Sequence, residues 1–239
     1  MSRPTRAPIL AGETHPLPPL ENGERLDQPT FHARYEAMPD GTRAELIGGI
    51  VYMHSPAKST HGRKHSLIAR WLGMYEDATP GTETHVESST LLGPENEPQP
   101  DCCLLIAPEY GGQTTEKDEW LVGAPELVVE VALSSASIDL HAKKSDYEKC
   151  GVKEYAVIAL RHRRVYWFVL REETLTELPA GPDGVFRSET FPGLWLDATA
   201  LLAGNMPQVR AVQTLGLATP EHAAFVAELE RRRVEKGRD

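Results

Sequence analysis

The sequence predicts an α/β protein, with a mixed β-sheet flanked by helices and further helices toward the C-terminal end. Short apolar runs bounded by Pro, Gly or charge recur at 102–107, 127–133 and 152–160, as strands buried on both faces do. Helical spacing appears between and after them, most clearly in Leu67, Ile68, Trp71, Leu72 and Tyr75. Residues 127–155 join the two signals in one stretch: strand, short loop, helix, turn, second strand.

That stretch carries the first candidate chemistry. Glu130 lies in the middle of a β-branched run, where an ionised carboxylate is costly unless something compensates it. Residues 134–137 are small and polar and offer helix N-caps, and Asp139 falls in the first turn, where the helix dipole favours an anion. Asp139, Lys143 and Tyr147 recur at steps of four and share one helical face, and Gly151 ends the helix. A lysine from the helix can therefore reach the carboxylate of the preceding strand. A structural ion pair between Glu130 and Lys143 accounts for the same residues as a catalytic one does.

The other elements follow in order. Residues 1–28, rich in Pro and Gly, read as a mobile arm, and 31–38 as a short helix stopped by Pro39, Asp40 and Gly41. Residues 44–53 form a strand pair or bent strand around Gly48 and Gly49, with Glu45 at its start. A helix over 61–77 presents His61, Arg63, Lys64 and His65 in its first turn, suited to phosphate contact or to solubility alone. Residues 82–92 alternate as a half-exposed strand or hairpin, Asp101 opens a strand after Pro100, and 110–120 read as a surface loop. A basic turn that includes Arg163 leads to strands at 164–170 and 174–178; 191–195 resemble a short edge segment. Helices are expected at 197–203, 207–216 and 220–233, the last with Thr219 as N-cap and Pro220 at the first helical position. The organisation is thus an arm (1–28), one domain (29–203) and a C-terminal helical extension (204–239).

Composition narrows the class. At 239 residues and 40% hydrophobic content the chain supports one substantial core. Three cysteines without C-x-x-C spacing indicate neither a disulfide framework nor a cysteine zinc site, and they fit a cytoplasmic setting. No long uncharged run and no signal-peptide pattern point to membrane insertion or export. The formal charge of −10 is unlike that of most nucleic-acid-binding proteins, yet residues 58–70 hold four Lys or Arg and no acid.

Glu45, Asp101, Glu130 and Lys143 together allow metal-assisted phosphodiester hydrolysis. Two carboxylates from neighbouring strands suit a hard cation, Mg²⁺ or alternatively Mn²⁺, whose remaining positions take water and substrate phosphate. Such a cation polarises a phosphoryl oxygen and lowers the pKa of water, and a lysine can orient that water or screen developing charge. The chain has no G-x-S-x-G elbow, Walker loop, Rossmann glycine fingerprint or H-E-x-x-H.

The order Glu45, Leu46, Ile47 and Gly49; Ser55 and Pro56; His61; Pro100 and Asp101; Glu130 and Val131; Asp139, Leu140, Lys143 and Tyr147; Gly151, Val152, Glu154 and Tyr155 resembles the Uma-type restriction endonuclease family of the PD-(D/E)xK nuclease superfamily. The resemblance spans roughly residues 30–203 and implies a restriction-endonuclease-like core, a metal pair of Asp101 and Glu130, and DNA as partner. Ala132 stands where the superfamily's lysine is usual, and Lys143 matches a lysine that has moved to the following helix. Glu45 matches an early family glutamate, a further metal or water contact. Gly48 and Ile50 stand where the family often has acids. The expected function is a Mg²⁺-dependent endodeoxyribonuclease that contacts phosphates through His61, Arg63, Lys64 and Arg163, with a homodimer allowed. Alternatives are a non-catalytic binding or assembly module on the same fold, or a nuclease acting on RNA or branched DNA.

Overall fold

The structure, a computed structural model, describes residues 17–54, 59–133 and 135–237, with side chains described from residue 62 onward in the helix that begins at Ser59. The chain runs α1 (Gln28–Glu36), β1 (Ala44–Ile47), β2 (Ile50–Met53), α2 (Ser59–Ala78), β3 (Thr82–Val86), β4 (Thr90–Leu91) and β5 (Cys102–Ile106). Next come β6 (Thr115–Lys117), β7 (Trp120–Val122), β8 (Leu127–Ala132), α3 (Ala136–Ile138), a π-helical segment (Asp139–Lys143) and α4 (Lys144–Cys150). The rest is β9 (Glu154–Ala159), β10 (Arg164–Arg171), β11 (Thr174–Glu177), β12 (Val185–Arg187), β13 (Trp195–Asp197), α5 (Ala198–Ala203), α6 (Met206–Leu217) and α7 (Pro220–Lys236).

Six strands form the central sheet in the order β11-β10-β9-β8-β5-β3. β8 and β9 are parallel, joined by the helical crossover, and the remaining pairs are antiparallel. All residues of β5, β8 and β9 are buried, which is why their sequences are apolar runs rather than alternations. Leu127, Val129 and Val131 face the stripe of α2 together with Met206, Val209 and Leu229 of the C-terminal helices. Val128 and Ala132 face the other way, toward Tyr147 and Tyr155. A third, smaller core of Leu20, Phe31, Ala44, Leu46 and Val51 lies beneath the β1–β2 hairpin, a separate two-stranded sheet. Gly48 and Gly49, at φ 56° and 72°, form its two-residue turn, a conformation most side chains resist. A Cβ at Gly48 would meet the Asp146 carboxylate at 3.4 Å, so an acid there would face a like charge.

Several expectations need correction. Residues 17–28 are packed: Leu20 is buried, and Arg34 donates to the carbonyls of Pro18 (2.9 Å) and Pro19 (2.5 Å). Residues 1–16 lie outside the described part. Residues 82–92 divide between two sheets. The expected loop 110–120 contains β6 and the start of β7, joined through Asp118 and Glu119 at φ 51° and 67°. That turn has no glycine, so nothing in the composition marks it. The edge segment expected at 191–195 instead begins pairing at Trp195, against β12. The C-terminal helices add Met206, Val209 and Leu229 to the main core.

Candidate active site

The alternation of β8 puts Glu130 on the face shared by Val128 and Ala132. β5 pairs with β8 through Cys102↔Val129, and one step further along that register sets Asp101 across from Glu130. Asp101 does not open the strand as expected; it occupies the bend just before β5. Its side chain accounts for this, because Oδ2 accepts a hydrogen bond from the Val131 amide at 2.6 Å and so continues the ladder where the β5 backbone has stopped. The two carboxylates thus sit at the same end of adjacent strands, close enough for Asp101 to raise the pKa of Glu130.

Lys143 arrives from the π-helical segment, whose wider turn leaves both Asp139 and Lys143 buried. Its Nζ donates to Glu45 Oε1 at 2.9 Å and to Glu130 Oε1 at 3.0 Å. Tyr147 OH donates to the same Glu130 oxygen at 3.0 Å. Glu45 also accepts from the Gln99 amide at 2.7 Å, and His54 Nε2 lies 2.8 Å from its Oε2. Burial opposes the Lys143 charge, but Glu130 and Glu45 outweigh it and hold the ammonium pKa above its usual value. Burial pushes the Glu130 carboxyl well up, with Lys143 opposing and Asp101, Asp139 and Glu45 adding to the rise. Glu45 ends below its usual value, because Lys143 and His54 overcome its burial. One ammonium between two carboxylates leaves one acid in surplus, and Glu130, nearest the other acids, carries it.

Asp139 lies in the first turn of the helical stretch that begins at Ala136, and it is buried there. Its Oδ2 accepts from Ser135 Oγ at 2.6 Å, and its carbonyl accepts from Tyr155 OH at 3.0 Å. Burial raises its pKa against the pull of Lys143.

His65 is not a surface phosphate contact. It is buried, with Nε2 3.0 Å from Asp101 Oδ1 and Nδ1 3.3 Å from Glu87 Oε1. Burial lowers its pKa, but Asp101 and then Glu87 raise it past the ordinary value. Glu87 in turn pairs with Arg43. Sequence reasoning gave His65 a different role and gave His54 none; each meets its carboxylate only through tertiary packing, which no local spacing reports.

The expected phosphate contacts separate. Arg63 and Arg163 are exposed, Arg163 at φ 49° in the β9–β10 turn, and neither forms an ion pair among the described residues. Lys64 instead donates to the carbonyl of Leu202 at 2.9 Å, at the end of α5. The side chain of His61 lies outside the described residues.

Among the described residues no group of three or more His, Cys, Asp or Glu forms a ready metal cage. The Asp101–Glu130 pair still fits a Mg²⁺-like ion, which needs only one or two carboxylates beside water and phosphate. Lys143 and Tyr147 both donate to Oε1 of Glu130, which among the described residues leaves Oε2 as the oxygen available to a cation.

A family model, Uma2, described as "Putative restriction endonuclease", matches residues 29–199. No curated protein matches the chain. Among solved structures, that of a putative nuclease belonging to DUF820 from Anabaena variabilis is similar, with 14% identity and a TM-score of 0.57, covering 71% of this chain and 97% of that one. At that identity the likeness is one of fold. No helix among the described residues is long and apolar enough to cross a membrane. The family match takes in α1 through the start of α5, with the whole carboxylate and lysine cluster inside it, and the chain therefore belongs to the Uma2 restriction endonuclease family.

Proposed function

We propose that this protein is a Mg²⁺-dependent endonuclease that hydrolyses phosphodiester bonds of DNA, in a cytoplasmic setting consistent with its three free cysteines. The observation that carries the reading is the Glu45–Lys143–Glu130 array, buried beside Asp101 at one end of the sheet. Asp101 and Glu130 would hold the cation, which supplies Lewis-acid stabilisation of the phosphoryl group and a more acidic water. Lys143, kept as an ammonium by its two carboxylates, donates hydrogen bonds toward charge that develops on the phosphate and does not act as a base. Glu45 fixes the lysine and, through His54, the hairpin that carries it. Tyr147 holds Oε1 of the Glu130 carboxylate from its helix side, which leaves Oε2 for the cation. His65 and the Val131 amide orient Asp101. Arg63 and Arg163 are the exposed cations for the DNA backbone.

A binding or assembly module is the second reading, because the ion pairs of Lys143 satisfy Glu130 without any metal. The test is cleavage of plasmid, linear duplex, single-stranded DNA and RNA with Mg²⁺, Mn²⁺ or EDTA, by wild type and Asp101→Asn. Metal-dependent DNA cleavage that Asp101→Asn abolishes is expected. Binding without cleavage of any substrate would favour the module, and cleavage of RNA alone would move the substrate class.

A further inference from the structure

Two residues beyond Glu130, about 7 Å along the same face of β8, Ala132 enters the wall of a pocket of about 360 Å³. Ala136 and Leu140 give it apolar surface over the buried Ala132, and His141, Arg161 and His162 give it polar rim. His141 belongs to the same π-helical segment as Lys143, so pocket and carboxylate cluster are built on shared elements. No acid lines the pocket, in a chain whose formal charge is −10. Arg161 and His141 are exposed and form no ion pair among the described residues, while His162 Nδ1 lies 3.4 Å from Tyr166 OH.

Apolar surface beside an uncommitted guanidinium and imidazole donors matches a nucleobase joined to a phosphate. The concavity has the scale of a small-molecule site, too narrow for a duplex, and an unstacked base offers it a face that apolar side chains can cover. We propose that this pocket is a subsite for one unpaired nucleotide of the strand being cleaved, its base against Ala136 and Leu140 and its phosphate toward Arg161 and His162. The proposal rests on the nuclease reading, because the adjoining phosphate would then lie at Asp101 and Glu130. It makes single-stranded ends, flaps or extruded nucleotides the preferred substrates over continuous duplex.

The test uses the full chain in EDTA, with fluorescence anisotropy of a labelled single-stranded oligonucleotide and of its blunt duplex. Arg161→Ala should weaken single-strand binding about tenfold, the loss of one charge-assisted contact, and duplex binding less than about twofold. Arg210→Ala, which removes an exposed cation from α6, controls for net charge and should change either affinity less than about twofold. His141→Ala should repeat the direction of Arg161→Ala, and far-UV circular dichroism checks that each variant folds. 5′-dAMP should displace the single strand at lower concentration than inorganic phosphate. Equal effects of Arg161→Ala and Arg210→Ala, equal loss on single strand and duplex, or displacement by phosphate as effective as by 5′-dAMP would each overturn the subsite. The nuclease reading fails separately, through absence of Mg²⁺-dependent cleavage by a wild type that shows the expected binding.

Discussion

Lys143 has two carboxylate partners, and substitutions on either side of it should behave differently for that reason. Lys143→Met removes the cation that Glu45 and Glu130 share; breaking such a buried array should cost about 3–5 kcal/mol, read from urea unfolding. Glu130→Gln leaves the ammonium paired with Glu45, and its amide oxygen can still accept from Lys143 and Tyr147. Stability in EDTA should therefore stay within about 1 kcal/mol of wild type. On the proposed reading Mg²⁺ should raise the melting temperature of wild type and not of the variant, because such a rise measures binding to the folded state. A Glu130→Gln protein that melts far below wild type in EDTA, beside a wild type indifferent to Mg²⁺, would show the carboxylate to be structural only.

At the scale of elements, α7 is fastened to the core through His222. Its Nδ1 lies 3.0 Å from the Leu217 carbonyl, which can only accept, so Nδ1 carries the proton and Nε2, 2.9 Å from Thr79 Oγ1, accepts from the hydroxyl. Burial lowers the pKa of His222 below its ordinary 6.5, with the Leu217 carbonyl opposing. As pH falls below 6.5 the unfolded chain takes up a proton before the folded one does, so this contribution to stability declines with falling pH until the folded pKa is passed. His65 has the opposite sign, since its raised pKa gives stability that is complete below 6.5 and lost as pH rises through the folded value. The stability difference between wild type and His222→Gln, measured at pH 7.5 and 5.5, should isolate the first effect and shrink at the lower pH. Legibility also varied by element. β5, β8 and β9 could be read because strands buried on both faces must be apolar throughout. β6 is fully exposed and β12 has only three residues, so neither carries a period to read. Glu130 and Lys143 lie within one local stretch, where spacing alone suggests their meeting. Lys64 shows the limit: a cation in a first helical turn looks the same in sequence whether it faces solvent or the carbonyls of another helix.

For the whole molecule, a charge of −10 opposes any polyanion, so affinity for DNA must come from local cations. The logarithm of the binding constant should fall linearly with the logarithm of salt concentration, and Arg163→Ala should reduce that slope by about one unit, whereas Lys64→Ala should leave it unchanged. An affinity flat in salt would mean that Arg63 and Arg163 only solubilise. The β1–β2 hairpin has a different consequence for the molecule as a whole. It rests on its own small core and meets the rest at its edges, through the Leu46–Glu97 backbone pair, the Gly48 and Gly49 amides on Asn96 and Glu95, the Arg43–Glu87 pair, and Glu45. A piece attached in this way can open as a unit without unfolding the central sheet. Lys143 then serves as a latch. In Lys143→Met, hydrogen–deuterium exchange at 44–53 should quicken far more than exchange in β8 and β9, and the same latch would set how often the Glu130 carboxylate meets solvent.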